Sequence, residues 1–157
     1  MDHTKYQHSA SVVVDAPPSE VYALISDVTR MGDFSPVCKS AQWIDDEHTR
    51  FTGDNVTPER QWTTTCRVDV AEPGKEFTFT NCGMDDTREL VRWSYTFAPA
   101  GEGTEVTEDW QVLPGYGEFM NSVAPQMDVE EYLDGVVPRT RDGMAETLAN
   151  LKAAAEG

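Results

Sequence analysis

Between Val37 and about Pro114 the sequence never sustains a helical period. Short runs rich in β-branched and aromatic residues, the clearest being Trp62–Val70, Glu76–Thr80, Leu90–Phe97 and Thr104–Val112, are divided by turn formers instead. The turn signals fall at Asp45-Asp46, Thr57-Pro58, Pro73-Gly74, Asp85-Asp86 and Ala100-Gly101. Connections this short favour hairpins between neighbours, so the middle of the chain reads as an antiparallel meander.

Both flanks change period. Ser9–Asp15 runs into Val12-Val13-Val14 and predicts an opening strand preceded by a tail of about residues 1–8. Pro17-Pro18-Ser19-Glu20 then starts a helix, whose apolar face is Val21, Leu24, Ile25 and Val28. Gly32-Asp33-Phe34-Ser35-Pro36 ends this helical excursion, because the residue before a proline is driven from the helical region. After Pro114-Gly115-Tyr116-Gly117 the chain reads as irregular. A last helix follows with Val137, Met144, Leu148, Leu151 and Ala155 on one side. Pro138 suits its first turn, and Gly135 with Pro138 predicts a break rather than one helix running on from Asp128. The order is α+β: one strand, two short helices, a curved antiparallel sheet completed to about seven strands, and a long C-terminal helix laid across it. No linker, repeat or low-complexity segment divides residues 1–157, which predicts one domain.

Charge narrows the partners. Twelve Lys and Arg against 28 Asp and Glu leave a formal charge of -16, which repels phosphate backbones and anionic lipid alike. Neither nucleic acid nor stable membrane association is expected. The polar N-terminus and the lack of a long apolar stretch predict a cytoplasmic protein, monomeric or homodimeric. Cys38, Cys66 and Cys82 are odd in number and lack metal-binding or redox spacing, so they read as reduced thiols. His3, His8 and His48 form no ligand set with them, and no phosphate loop or nucleophile elbow occurs; neither metal nor cofactor is expected.

Two segments carry a resemblance. Ser11-Val-Val-Val-Asp-Ala-Pro-Pro-Ser-Glu-Val-Tyr-Ala-Leu-Ile-Ser-Asp27 followed by Met31-Gly-Asp-Phe-Ser-Pro36 resembles the opening of polyketide cyclase/dehydrase-like proteins of the START-like, birch-pollen-allergen-like superfamily. Arg141-Asp-Gly-Met-Ala-Glu-Thr-Leu-Ala-Asn-Leu-Lys152 is similar to the closing helix of that family. The resemblance implies a helix-grip fold with a cavity between sheet and C-terminal helix. It also implies a hydrophobic small-molecule ligand, lipid- or polyketide-like, or alternatively a cyclase, aromatase or dehydrase acting in the same cavity. Aromatase/cyclases of the family have a pocket arginine on a middle strand and a tyrosine after the first helices. Those places fall near Cys66 or Arg67 and near Val37 or Cys38, so the tyrosine is missing here and the arginine is matched only by a one-residue shift.

Strand alternation sorts the meander into two faces. One face carries Val91, Trp93, Tyr95 and Phe97, then Val106, Glu108, Trp110 and Val112. Trp62, Thr64, Cys66, Val68 and Val70 join it from an earlier strand, Phe77 and Phe79 from the one between. Candidate ligand contacts are therefore Trp62, Thr64, Cys66, Phe77, Phe79, Trp93, Tyr95 and Trp110, with Met144 and Leu148 from the last helix. Glu108 shares this face and could serve as general acid or hydrogen-bond donor, unless a bulge turns Asp109 inward instead. Arg67 alternates outward if Cys66 points in. Either it or Arg141, at the start of the last helix's apolar side, could pin an anionic or carbonyl-bearing ligand, unless Arg141 sits solvated at the rim.

Overall fold

The computed structural model describes residues 1–84 and 86–157. Its strands are β1 (Gln7–Val14), β2 (Cys38–Trp43), β3 (Arg50–Val56), β4 (Gln61–Glu72), β5 (Glu76–Asn81), β6 (Val91–Ala100) and β7 (Gly103–Val112). They form one antiparallel sheet in the order β1-β7-β6-β5-β4-β3-β2. The meander is sequential as expected, and the opening strand closes it by pairing with the last, Val14 opposite Thr104 and Gln7 opposite Gln111. Helices α1 (Pro18–Ser26) and α2 (Met31–Phe34) follow β1, while α3 (Gly115–Val123) and α4 (Val129–Glu156) end the chain. A curled sheet gripping a long C-terminal helix is a helix-grip α+β fold. Of the predicted turns, Asp85 lies outside the described residues.

Several expectations need correcting. β1 starts at Gln7, and Tyr6 before it is 1% exposed, so the expected tail of residues 1–8 already contributes to the core. Its hydroxyl donates to Asp134 Oδ1 at 3.2 Å, tying the chain start to α4. The break near Gly135 does not occur: α4 runs unbroken through Pro138. Asp128 caps it by accepting from the Glu131 amide at 3.1 Å. Burial of Leu133 on one side of the proline and of Met144, Leu148 and Leu151 on the other holds both halves to the sheet. Tertiary packing overrides the roughly 3 kcal/mol helix penalty of an interior proline.

The stretch after Pro114, read as irregular, is α3. Tyr116, Phe119, Met120 and Val123 recur at helical spacing, and Gly115 is there for room: a Cβ on it would lie 2.6 Å from the Glu89 carbonyl oxygen. On β4 the alternation fails at one point. The register with β5 shifts between Val68, opposite Phe79, and Val70, opposite Thr78. This bulge at Asp69 turns Val70 to the outer face and brings Ala71 to the inner one, opposite Phe77.

The core divides into two clusters. Tyr22 and Ile25 of α1, Phe77, Phe79, Tyr95, Phe97, Leu148 and Leu151 belong to the first. Tyr6, Leu90, Trp110, Met120, Leu133 and Met144 belong to the second. Ala10 and Trp93 pack against both.

Candidate functional site

Registers across the sheet assemble the concave face row by row. Trp110 on β7 stands opposite Trp93 on β6, and Trp93 opposite Phe79 on β5. In the next row Ala10, Glu108, Tyr95 and Phe77 lie side by side across β1, β7, β6 and β5. Toward the other end Cys66 pairs with Phe51, Thr64 with Gly53 and Trp62 with Asn55. Every predicted strand contact is on this face.

Burial separates them. Cys66, Phe77, Phe79, Tyr95 and Trp110 are buried, as are Met144 and Leu148 from α4, whereas Trp62, Thr64 and Trp93 are half-exposed. The half-exposed set lies toward the Gln61 end of β4 and the Val91 end of β6. Near it Asn55 donates to the Trp62 carbonyl at 3.3 Å and to Thr64 Oγ1 at 3.4 Å, and the Arg60 guanidinium lies 4.2 Å from the Trp62 ring centroid. Tyr116 on α3, its phenol pushed up to about 12 by burial, feels both Arg60 and Tyr132 of α4. Asn55, Tyr116 and Tyr132 were missed in the sequence. For Asn55 the signal was its alternation with Phe51 and Gly53, and for Tyr116 the helical spacing masked by Gly115 and Gly117.

Deeper in, the aromatic rings pack edge to face. Phe79 meets Phe51 with ring centroids 5.1 Å apart, Tyr22 meets Phe97 at 5.6 Å, and Trp93 lies tilted against Trp110 at 6.5 Å. Burial pushes the thiols of Cys38 and Cys66 up to about 11 and about 12, so both are inert apolar side chains rather than nucleophiles.

Glu108 points inward at 1% exposure. Registers of β7 with β6 and with β1 are unshifted throughout, so no bulge brings Asp109 in. Among the described residues the other buried polar side chains are Thr78, Thr80, Thr104 and Thr147. Each of those hydroxyls donates, to Glu76, Asp69, the Ala16 carbonyl and the Gly143 carbonyl respectively. Glu108 is different: Oε2 accepts from the Tyr95 hydroxyl, but Oε1 is buried with no hydrogen-bond partner among the described residues. Burial pushes its carboxyl up to about 8 from an ordinary 4.5. The Tyr95 bond opposes that rise, and the Asp109 charge adds to it. Burial, then Glu108, holds the Tyr95 phenol well above its ordinary value. Both groups are neutral near pH 7.

The two predicted cations, Arg67 and Arg141, stand apart from this face. Arg67 is on the outer side, donating to Asp69 at 2.9 Å and to Glu89 at 2.6 Å. Arg141 is exposed on α4. Two surface hollows, of about 390 and 700 Å³, lie at Met1–Gly117–Val129 and at Arg88–Arg92–Glu118, and neither is lined by concave-face candidates. Among the described residues no group of three or more His, Cys, Asp or Glu side chains could hold a metal ion. No helix there is long and apolar enough to cross a membrane.

A family model described as polyketide cyclase / dehydrase and lipid transport matches residues 6–156. The chain belongs to this family. Among solved structures, the polyketide-cyclase family member is similar to a polyketide-cyclase-like protein from Corynebacterium glutamicum, with 36% identity, 94% of this chain and 89% of that one covered, and a TM-score of 0.64. An aromatase/cyclase from a Streptomyces species is 15% identical, with 96% and 93% covered and a TM-score of 0.72. A di-domain aromatase/cyclase of steffimycin biosynthesis is 15% identical with a TM-score of 0.73. This chain covers 50% of that protein, about half its length. The last two likenesses show the fold alone. Comparison with curated proteins gives no match.

Proposed function

We propose that this family member binds an uncharged, largely apolar small molecule of polyketide- or lipid-like character between the sheet and α4. The observation that carries this reading is the concave aromatic face, on which Trp62, Thr64 and Trp93 are half-exposed and Glu108 presents a buried, incompletely bonded carboxyl group. Flat rings with donor tips suit a fused or folded polyketide, supplying contact area with little side-chain entropy to lose. A net charge of -16 disfavours anionic cargo.

The test is binding of N-phenyl-1-naphthylamine, followed by its fluorescence, together with native mass spectrometry and organic extraction of the purified protein. Saturable one-site binding at micromolar concentration, lost on Trp93→Ala, supports the reading. A folded protein that neither takes up the probe nor carries an extractable apolar molecule overturns it.

One observation favours a second reading, in which the same site cyclises or dehydrates a polyketide-like substrate: a carboxyl raised to about 8 is a proton donor near neutral pH. Turnover of a poly-β-ketone thioester that survives Glu108→Gln unchanged would remove Glu108 from such a mechanism.

A further inference from the structure

The Tyr95–Glu108 pair holds more protons than the fold uses. Near pH 7 the phenol and the carboxyl are both neutral, so the pair carries two O–H protons. Only one can lie between the phenol oxygen and Glu108 Oε2, where the Tyr95 hydroxyl donates. The carboxyl proton is then left to Oε1, which is buried and finds no acceptor among the described residues. An unspent buried donor destabilises the site, and an acceptor brought from outside relieves that cost.

Its surroundings define the acceptor. Glu108 is paired with Ala10 on β1 and Tyr95 on β6, and Ala10 touches both core clusters, so the acid sits at the seam where those clusters meet. Trp93 and Trp110 occupy the adjoining row. Of the titratable groups, Tyr95 and Asp109 act on Glu108, and Cys38 acts on Tyr95. Half-buried His8 on β1 stands opposite Trp110, and Tyr22 on α1 is turned to Phe77 and Phe97. The residues that α4 buries, Leu133, Met144, Thr147, Leu148 and Leu151 among them, carry no charge. Among the described residues none beside Glu108 compensates an anion, and a carboxylate ligand would face a carboxyl group.

We infer that Tyr95 and Glu108 form a neutral donor site for a ketone or enone oxygen, with Glu108 contacting the ligand and Tyr95 positioning it. The site selects oxygenated apolar ligands over hydrocarbons of equal shape and over carboxylates. This rests on the concave face being the ligand site.

The experiment compares 2-acetylnaphthalene, 2-ethylnaphthalene and 2-naphthoate by tryptophan quenching, corrected for the partition of each from water. Wild type is expected to prefer the ketone over the ethyl compound by about tenfold at pH 6.5 and to exclude naphthoate. That preference should vanish above about pH 9, as Glu108 ionises. Glu108→Gln, whose amide keeps a donor at Oε1's position, should retain it at both pH values, and Glu108→Leu should abolish it. Tyr95→Phe should weaken the preference. If both naphthalenes bind with no preference, or with one that Glu108→Leu and high pH leave untouched, the donor site is refuted and the binding reading stands. If neither binds to protein with a native circular dichroism spectrum, the binding reading falls and the donor site with it.

Discussion

Glu108→Gln should change how stability depends on pH far more than it changes packing. The two side chains are nearly isosteric, and the amide oxygen can still accept from Tyr95. In the folded protein the Glu108 carboxyl is raised to about 8, whereas the unfolded chain ionises it near the ordinary 4.5. Below the lower value both states hold the proton and its linkage costs nothing. Between the two the unfolded state sheds the proton while the folded state keeps it, so stability falls by about 1.4 kcal/mol per pH unit. Above about 8 both have lost it and the slope ends. Glutamine has no such proton, and other titrations cancel when the two proteins are compared. Urea unfolding at pH 5, 6, 7 and 8 should therefore show the stability of the Gln variant, relative to wild type, improving by about 4 kcal/mol across the series. A difference that stays flat with pH, within about 0.5 kcal/mol, would refute the reasoning, because Glu108 would then be ionising as a solvated carboxylate does.

Other consequences are as direct. Cys38 and Cys66, raised to about 11 and about 12 by burial, should resist iodoacetamide at pH 8 in the native protein and react once urea unfolds it, as counted by intact mass. Trp110→Ala should cost about 3–5 kcal/mol in urea unfolding, since the ring is buried in the second cluster; Trp93→Ala should cost less, because that ring is half-exposed. Pro138→Ala should stabilise, by up to about 3 kcal/mol, since position 138 is exposed in the interior of α4 and alanine restores an amide donor to its ladder; thermal unfolding measures this, and a lower melting temperature would show that α4 depends on its proline.

Parity is what made the site readable. From Val91 to Val112 the hairpin has no register shift, so counting by twos carries Trp93, Tyr95, Glu108 and Trp110 onto one face correctly. The same count fails on β4, where a bulge at Asp69 turns Val70 outward, because a bulge is fixed by pairing with β5 rather than by the local residues. Glycine and proline misled in the helices. Gly115 reads as a turn former but lies where a Cβ would strike the Glu89 carbonyl, and Pro138 reads as a helix start although packing on both sides keeps it interior. The hydrogen bond from Tyr95 to Glu108 was invisible for a different reason: alternation gives the face of each residue but not which two meet across the ladder, and that depends on the length of the β6–β7 turn.

The pairing of β1 with β7 also sets a timetable. Residues about a hundred apart in sequence must meet before the sheet has its full width, which makes this the contact with the largest loop-closure cost in the meander. During synthesis β2 to β6 can zip up hairpin by hairpin as they emerge. β1, with its Val12-Val13-Val14 run, has no partner until residues 103–112 have left the ribosome. Throughout that interval the nascent chain exposes a sticky valine-rich strand ahead of the meander. The interval is one in which a holding chaperone has something to bind, and in which two nascent chains can pair with each other's edges.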